Sequence, residues 1–384
     1  MTERLYYHNA HMAEFDAKVL SCEEANGRYA VLLDRTAFYP EGGGQACDTG
    51  SLGASAVLDV QMQNDEVVHF CDQPLEVGDI VHGAIDWEQR FDRMQQHSGE
   101  HIVSGIVHRK FHYDNVGFHM GSDCMTIDFS GYISDDDLRE IEREANAIVA
   151  DNREILITLH ASDSLQGKEY RSKKELTGIV RLVNIPGADL CTCCGTHVSR
   201  TGEIGVILFL GRERLRGGTR LELLCGRQAM EYIFQLNDQS RRISAFLSAK
   251  PTELADAVKR MGTEVEHLKQ ENAQFFKNLS NARAEQYRNA SNVFLLEDSL
   301  DSNQIGKLAC AVAEQCGGVC AAFTPRENGF FFAVSQTNGD VRPFCKAMLT
   351  ALGGRGGGKP ELNQGTVPCS RRSLEAYFKE AFSQ

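Results

Sequence analysis

The chain alternates between stretches with a two-residue apolar period and stretches with a period of three to four. From Leu5 to about Ile85, short β-rich runs such as Tyr29–Leu33 and Ala56–Val60 are separated by polar turns. This predicts a small barrel or sandwich. From Trp87 to His112 the pattern turns helical, with Met94, Ile102, Gly105 and Ile106 near helical spacing. Met125–Phe129 predicts a strand. Asp135, Asp136 and Asp137 predict an acidic helix start, continued by Leu138, Ile141, Ala145, Ile148 and Val149. We read the acidic trio as complementing the helix dipole rather than as a cation site. Strands over Ile155–Leu159, Val180–Ile185 and Ile204–Leu210 make the middle region α+β.

Arg227 to about Ala290 reads as helical throughout. Its apolar positions run Leu254, Val258, Met261, Val265, Leu268, then Asn272, Phe275, Leu279 and Ala282. Spacings alternating between four and three predict a coiled-coil seam. The same stripe would serve either a homodimer or a long helix packed within its own chain. From Asn292 the composition becomes α/β, with a helix over Ile305–Cys316, a strand over Gly329–Ser335 and a helix over Leu374–Phe382. These shifts divide the 384 residues into 1–86, 87–226, 227–290 and 291–384, an α+β multidomain architecture.

Charge and cysteine content narrow the function. The formal net charge of −13 argues against non-specific nucleic-acid binding and leaves local basic patches as the route to such a partner. Candidates are Arg171 with Lys173 and Lys174, then Arg212, Arg214, Arg216 and Arg220, then Arg355 and Lys359 with Arg371 and Arg372 behind them. No apolar run opens the chain as a signal peptide would, and none approaches a membrane span. Thirteen cysteines without such a signal predict free thiols in a reducing cytoplasm, with one metal site, rather than a disulfide framework.

Two pentapeptides carry the candidate chemistry. His97-Ser98-Gly99-Glu100-His101 places two imidazoles at i, i+4, on one face of a helix. Cys193-Cys194-Gly195-Thr196-His197 repeats that spacing in a turn-like stretch. Imidazole and thiolate together suit Zn²⁺ better than Mg²⁺ or Ca²⁺. Cys194 is an alternative ligand to Cys193. Two glycine-rich stretches add to this. Gly42-Gly43-Gly44-Gln45 permits a tight turn and a close backbone approach to a ligand or a neighbouring domain. Gly353–Pro360, bearing Arg355 and Lys359, predicts an anion nest but lacks the residue order of a P-loop.

Taken together the motifs resemble alanyl-tRNA synthetase beyond its aminoacylation part. Thr36-Ala37-Phe38-Tyr39-Pro40-Glu41-Gly42-Gly43-Gly44-Gln45 resembles the glycine-rich signature of its editing module. His97 and His101 match its HxxxH, Asp189–Val198 its CGGTH segment, and Gly353–Pro360 its DHH-associated C-terminal domain. Because the barrel-like stretch begins almost at Met1, the likeness is to a freestanding editing protein of the AlaX type in its longer form. Cys194 stands where the synthetase usually has Gly, and His119 where it often has Gln.

The resemblance implies an N-terminal small β-barrel over 1–86, a central zinc-binding α+β editing domain over 87–226, a helical coiled-coil segment over 227–290 and a DHH-associated α/β RNA-binding domain over 291–384. It implies one Zn²⁺ per chain on His97, His101, Cys193 and His197. It implies a substrate site around Thr36, Gly42, Gly43, Gly44, Gln45 and His119, and tRNA contacts at Arg355 and Lys359. The activity it implies is hydrolysis of mischarged alanine tRNA, seryl first and glycyl second. A synthetase pocket cannot strongly reject a near-isostere, so a second hydrolytic site must sort its products. Thr36 is the expected partner of the serine hydroxyl. Four protein ligands would close a tetrahedral zinc, which favours positioning of the 3′ end over water activation. The same closed set would suit a non-enzymatic RNA-binding protein with a structural zinc. A phosphoesterase would need an Asp-His-His motif, which the chain lacks. A thiol hydrolase using one of the clustered cysteines is the remaining rival.

Overall fold

Along Glu14–Val19 side chains alternate strictly between exposed and buried, with Phe15, Ala17 and Val19 turned inward. That period of two is what a strand with one wet face requires. The computed structural model describes residues 2–121, 123–165, 170–172 and 178–383, and in it the chain forms two compact units, Met1–Arg241 and Arg242–Gln384.

In the first unit six strands pair antiparallel in a ring: Glu14–Ala25, Arg28–Leu33, Glu66–Cys71, Ser55–Gln63, Gly50–Leu52 and Ile80–Ile85, which returns to the first. Each strand has two paired neighbours, so the sheet closes into a barrel without a free edge. Its interior holds Phe15, Val19, Val31, Leu33, Val57 and Val60.

Helix α1 (Trp87–Phe111) leaves the last barrel strand. Asp86 caps it by accepting from the Gln89 amide, and His112 ends it in the left-handed conformation. From Met94 to Val107 it is buried on all sides, so it forms the axis of the unit. Helix α2 (Asp135–Ala150) begins with a capping box between Ser134 and Asp137, and buries Leu138, Ile141, Ala145, Ile148 and Val149. The acidic trio therefore starts the helix. Around α1 lie a four-stranded antiparallel sheet (Ile207–Leu215, Gly218–Cys225, Met125–Phe129, Asn115–Met120) and a three-stranded one (Leu156–Ala161, Ile179–Ile185, Asp189–Thr192).

The helical stretch expected to run unbroken from Arg227 is interrupted. Helix α3 (Gly226–Leu247) stops at Ser248, which is left-handed, and Pro251 opens a 3-10 turn before α4 (Leu254–Ala284). Proline has no amide to continue the ladder, and it biases the residue before it away from the helical region. On α4 the apolar stripe is unpacked: Val258, Met261, Val265, Leu268, Phe275 and Leu279 are 44–71% exposed.

The second unit centres on a five-stranded sheet in the order Val293–Leu296, Cys320–Arg326, Gly329–Ser335, Leu362–Val367, Arg355–Lys359. Only the first pair is parallel. Helix α5 (Ser302–Gln315) packs Ile305, Leu308 and Val312 on one face. Helices α6 (Arg342–Leu352) and α7 (Arg371–Ala381) cover the other face around Phe323, Phe332 and Phe378. The glycine-rich stretch is thus an edge strand rather than a nest. Its backbone pairs in register from Arg355 opposite Thr366 to Lys359 opposite Leu362. Amides in a strand alternate between ladder and solvent instead of converging on one ion. Among the described residues no helix is long and apolar enough to cross a membrane.

Candidate metal centre and its cleft

Helical spacing brings His97 and His101 to one side of α1. The turn after the Asp189–Thr192 strand brings Cys193 and His197 against them, and one ligand atom from each lies within 4.8 Å of all the others. Gly195 makes this approach possible. A Cβ there would stand 2.1 Å from His97 Cε1, so any side chain would push the turn away from the helix.

Each imidazole is held from behind. His97 Nδ1 donates to Gln45 Oε1 at 2.8 Å, and His101 Nδ1 to Asp189 Oδ2 at 2.8 Å. His197 Nδ1 meets Ser98 Oγ at 3.4 Å. The three Nε2 atoms are left to face Cys193 Sγ, and His197 Nε2 is buried without a hydrogen-bond partner. Ligating histidines are commonly oriented in this way through their second ring nitrogen.

The charges also fit a cation. Burial opposes ionisation of Cys193, but the neighbouring imidazoles, His97 first, outweigh it and hold the thiol well below its ordinary value. Burial opposes charge on Asp189 too, yet His101 and Arg171 bring it down to about 2. Burial likewise disfavours charge on Glu100, and His101, Arg171 and His97 overcome it. Burial pushes His197 down to about 3, so its ring is neutral and its lone pair available. Burial disfavours charge on His101 as well, but Asp189 raises it well above 6.5. An ion at Nε2 would take the place of that proton. Three imidazoles and a thiolate are a donor set that Zn²⁺ accepts.

A cleft of about 330 Å³ opens beside the cluster. Gly43, Tyr39 and Phe118 form part of its wall, and Glu100, Arg171 and Arg181 carry its charge. The Phe118 ring lies 5.5 Å from that of His97.

Known proteins resemble the chain over nearly its whole length. Residues 2–89 match the family model of class II (A) tRNA synthetases, and residues 180–222 that of the threonyl and alanyl tRNA synthetase second additional domain. Alanyl-tRNA editing protein Aarsd1 of Danio rerio is 27% identical over 395 residues, covering 97% of this chain and 96% of its own. Aarsd1-A of Xenopus laevis is 27% identical over 366 residues, covering 92% and 89%. Along nearly its whole length the chain is similar to alanyl-tRNA editing proteins. It is also 32% identical over 411 residues to the alanine–tRNA ligase of Pyrococcus furiosus, covering 98% of this chain and 43% of the ligase. The chain thus spans less than half the length of the ligases it matches. The solved C-Ala domain of Aquifex aeolicus alanyl-tRNA synthetase aligns with 25% of the chain at 15% identity and a TM-score of 0.22, too low to place a fold.

In this chain the residues expected at the substrate separate into three groups. Gly43 lines the cleft, while Gly42 and Gln45 close a two-residue turn whose central Gly43 and Gly44 have φ of 64° and 87°. A Cβ on Gly44 would meet Phe118 at 2.6 Å, so the turn presses directly on the cleft wall. Gln45 is a positioning residue rather than a wall residue. Its Oε1 accepts from His97 and from the Thr196 amide, and its Nε2 donates to Thr196 Oγ1 at 2.8 Å.

Thr36 and His119 fall outside the cleft lining. The Thr36 hydroxyl is fully buried in the barrel, where it donates to His69 Nε2 at 2.8 Å and accepts from the Phe38 amide. His119 is exposed, because alternation along Asn115–Met120 turns its neighbour Phe118 to the cleft. Cys194 is exposed beside the cluster, and Cys193 supplies the sulfur within it.

The basic patches are partly neutralised. Arg171 pairs with Asp189, Arg212 with Asp135, and Arg220 with Asp128. Lys173 and Lys174 lie outside the described residues. Glu100, Phe118, Asp189 and Arg181 join the site although their sequence context does not mark them as site residues. The available signal for Arg181 was a lone charge inside the apolar run Ile179–Ile185.

Proposed function

We propose that the chain removes wrong amino acids from alanine tRNA by hydrolysing the aminoacyl ester, with seryl-tRNA as the main substrate and glycyl-tRNA as the second. The observation that carries this reading is the convergence of His97, His101, Cys193 and His197 at the wall of a cleft with aromatic and charged sides. The cluster fits Zn²⁺, which when bound would polarise the ester carbonyl or position the terminal ribose. Gln45, Asp189 and Ser98 fix the three rings so that the ligand atoms need no reorganisation. Phe118 offers a ring face on which the terminal adenine can stack. Glu100 is buried and ionised, and we assign it to orient the attacking water. The ester is already activated, so positioning supplies most of what the reaction needs.

The closed four-ligand set favours a second reading, an RNA-binding protein with a structural zinc. Deacylation of Ser-, Gly- and Ala-charged alanine tRNA, with and without chelator, separates the two. Rapid loss of serine, slow loss of alanine and one zinc per chain by elemental analysis are expected. Tight tRNA binding with no hydrolysis would leave the second reading. A folded, metal-free protein of full activity would remove zinc from the first. We assign tRNA affinity to the second unit through Arg355 and Lys359. The exposed stripe of α4 is our candidate homodimer seam, which sedimentation of the whole chain reports.

A further inference from the structure

Arg181 is 7% exposed and lies on the Ile179–Ile185 strand, facing the cleft. One guanidinium nitrogen is accounted for, since Nη1 donates to the Cys193 carbonyl at 2.7 Å. The guanidinium carbon also sits 5.5 Å from the centre of the Tyr7 ring. Nε and Nη2 are buried and have no hydrogen-bond partner. Among the described residues no carboxylate pairs with this side chain. The neighbouring Arg171 differs: its Nε and Nη2 each reach Asp189 at 2.7 Å.

A buried cation without a counter-ion is costly, and the free protein keeps it only if something else compensates. The orphaned atoms say what would. Nε and Nη2 form the side-on fork of the guanidinium, two parallel N–H bonds that match two oxygens of one anion. A carboxylic ester presents a single carbonyl oxygen and no charge, so it cannot fill that fork. A phosphodiester presents two charged oxygens. The Cys193 carbonyl fixes the plane of the fork immediately beside the metal-ligand cluster.

We propose that Arg181 binds the phosphodiester on the 5′ side of the terminal nucleoside of the RNA substrate, through Nε and Nη2. This deepens the ester-hydrolysis reading above and rests on it. The contact places the 3′ end rather than taking part in bond breaking, so its loss raises KM more than it lowers kcat.

The test compares three substrates with wild type, Arg181→Gln and Arg181→Lys. The substrates are seryl-tRNA(Ala), the same tRNA with a neutral methylphosphonate as its last internucleotide linkage, and 2′(3′)-O-seryl-adenosine, which has no phosphate. Wild type is expected to lose roughly 10- to 100-fold in kcat/KM on the methylphosphonate substrate, mostly through KM, as a charge-assisted bidentate contact should. Arg181→Gln should show a loss of that size on natural seryl-tRNA, little further loss on the methylphosphonate, and a much smaller effect on seryl-adenosine. Arg181→Lys keeps the charge without the fork and should fall between. Equal losses on all three substrates, or a fall in kcat alone, would assign Arg181 to the reacting ester and overturn the proposal. Wild type that is indifferent to the methylphosphonate overturns it without any variant, should Arg181→Gln fail to fold. Absence of hydrolysis on every substrate would instead sink the ester-hydrolysis reading itself.

Discussion

Among the described residues of the first unit two arginines are buried, and their surroundings treat them in opposite ways. Arg90 joins α1 to the barrel. Its guanidinium donates to Asp48, to the Ala10 carbonyl at 2.8 Å and to the Ala37 carbonyl at 2.6 Å, and Asp48 also accepts from the Tyr39 amide. Arg181, at the cleft, has one carbonyl for Nη1 and nothing for Nε or Nη2. The first is a closed structural joint. The second is complete only with a ligand. Burial and charge are shared, so the difference lies in whether every donor is satisfied.

The largest expected effect breaks the joint. Arg90→Met leaves the buried Asp48 carboxylate with only Arg93, at 3.8 Å, as a cationic neighbour, and breaking such a buried pair costs about 3–5 kcal/mol. That is a large part of the stability of an ordinary domain. Arg181→Met removes a charge that no protein group pairs, so its loss in thermal denaturation should be far smaller. Equal destabilisation by the two variants would show that Arg181 is also a structural residue.

The next effect concerns a titratable group inside the barrel. His69 is fully buried, and burial pushes it from 6.5 down to about 4. As pH falls below 6.5 the unfolded chain takes up the proton first, while the folded chain resists it. Stability present above pH 6.5 is therefore lost between 6.5 and 4, by about 3 kcal/mol at 1.36 kcal/mol per pH decade. Chemical denaturation across that window should show a steeper acid loss in wild type than in His69→Gln. Parallel curves would mean that His69 titrates normally and that the barrel interior is wetter than it looks.

Legibility in the sequence followed the same division between local and distant partners. The two residue pairs of the His/Cys cluster were readable because each is a helical or turn spacing of four. The face of α2 was readable from its apolar period, and the Gly329–Ser335 strand coincides with the observed element. The groups that complete the site were not readable. Gln45 meets His97 across 52 residues and Asp189 meets His101 across 88, and such contacts exist only once the barrel, α1 and the small sheet have packed. The glycine-rich C-terminal stretch misled for a related reason. Without side chains it looks like a loop, and only its pairing with Leu362–Val367 makes it a strand. The break between α3 and α4 was signalled by Pro251, but the apolar period on either side of it suggested one helix.

Thr36 gives an intermediate effect. Thr36→Val keeps the shape but leaves His69 Nε2 and the Phe38 amide buried and unpaired, at about 1–3 kcal/mol. Because both hydrogen bonds of the hydroxyl lie inside the barrel, the ratio of seryl to alanyl deacylation should stay near that of wild type. A narrowed ratio with unchanged stability would restore the hydroxyl as the group that reads serine.

The smallest effects are expected where cations are exposed. Arg355 and Lys359 share one face of the edge strand, since residues four apart on a strand point the same way, and both are exposed. Neither makes an ion pair among the described residues, in contrast to Arg371, which pairs with Glu375. Water solvates them already, so replacing water by a phosphate gains little beyond the release of counterions. Arg355→Ala or Lys359→Ala should each weaken alanine-tRNA binding a few-fold near physiological salt and reduce the salt slope by about 1. Seryl- and alanyl-charged tRNA should be affected alike, because a contact to the RNA backbone carries no information about the amino acid. Arg181→Gln, by contrast, should act mainly through the terminal phosphate. A salt slope that stays at its wild-type value in the Arg355→Ala, Lys359→Ala double variant would move the tRNA-binding face of the second unit away from this edge.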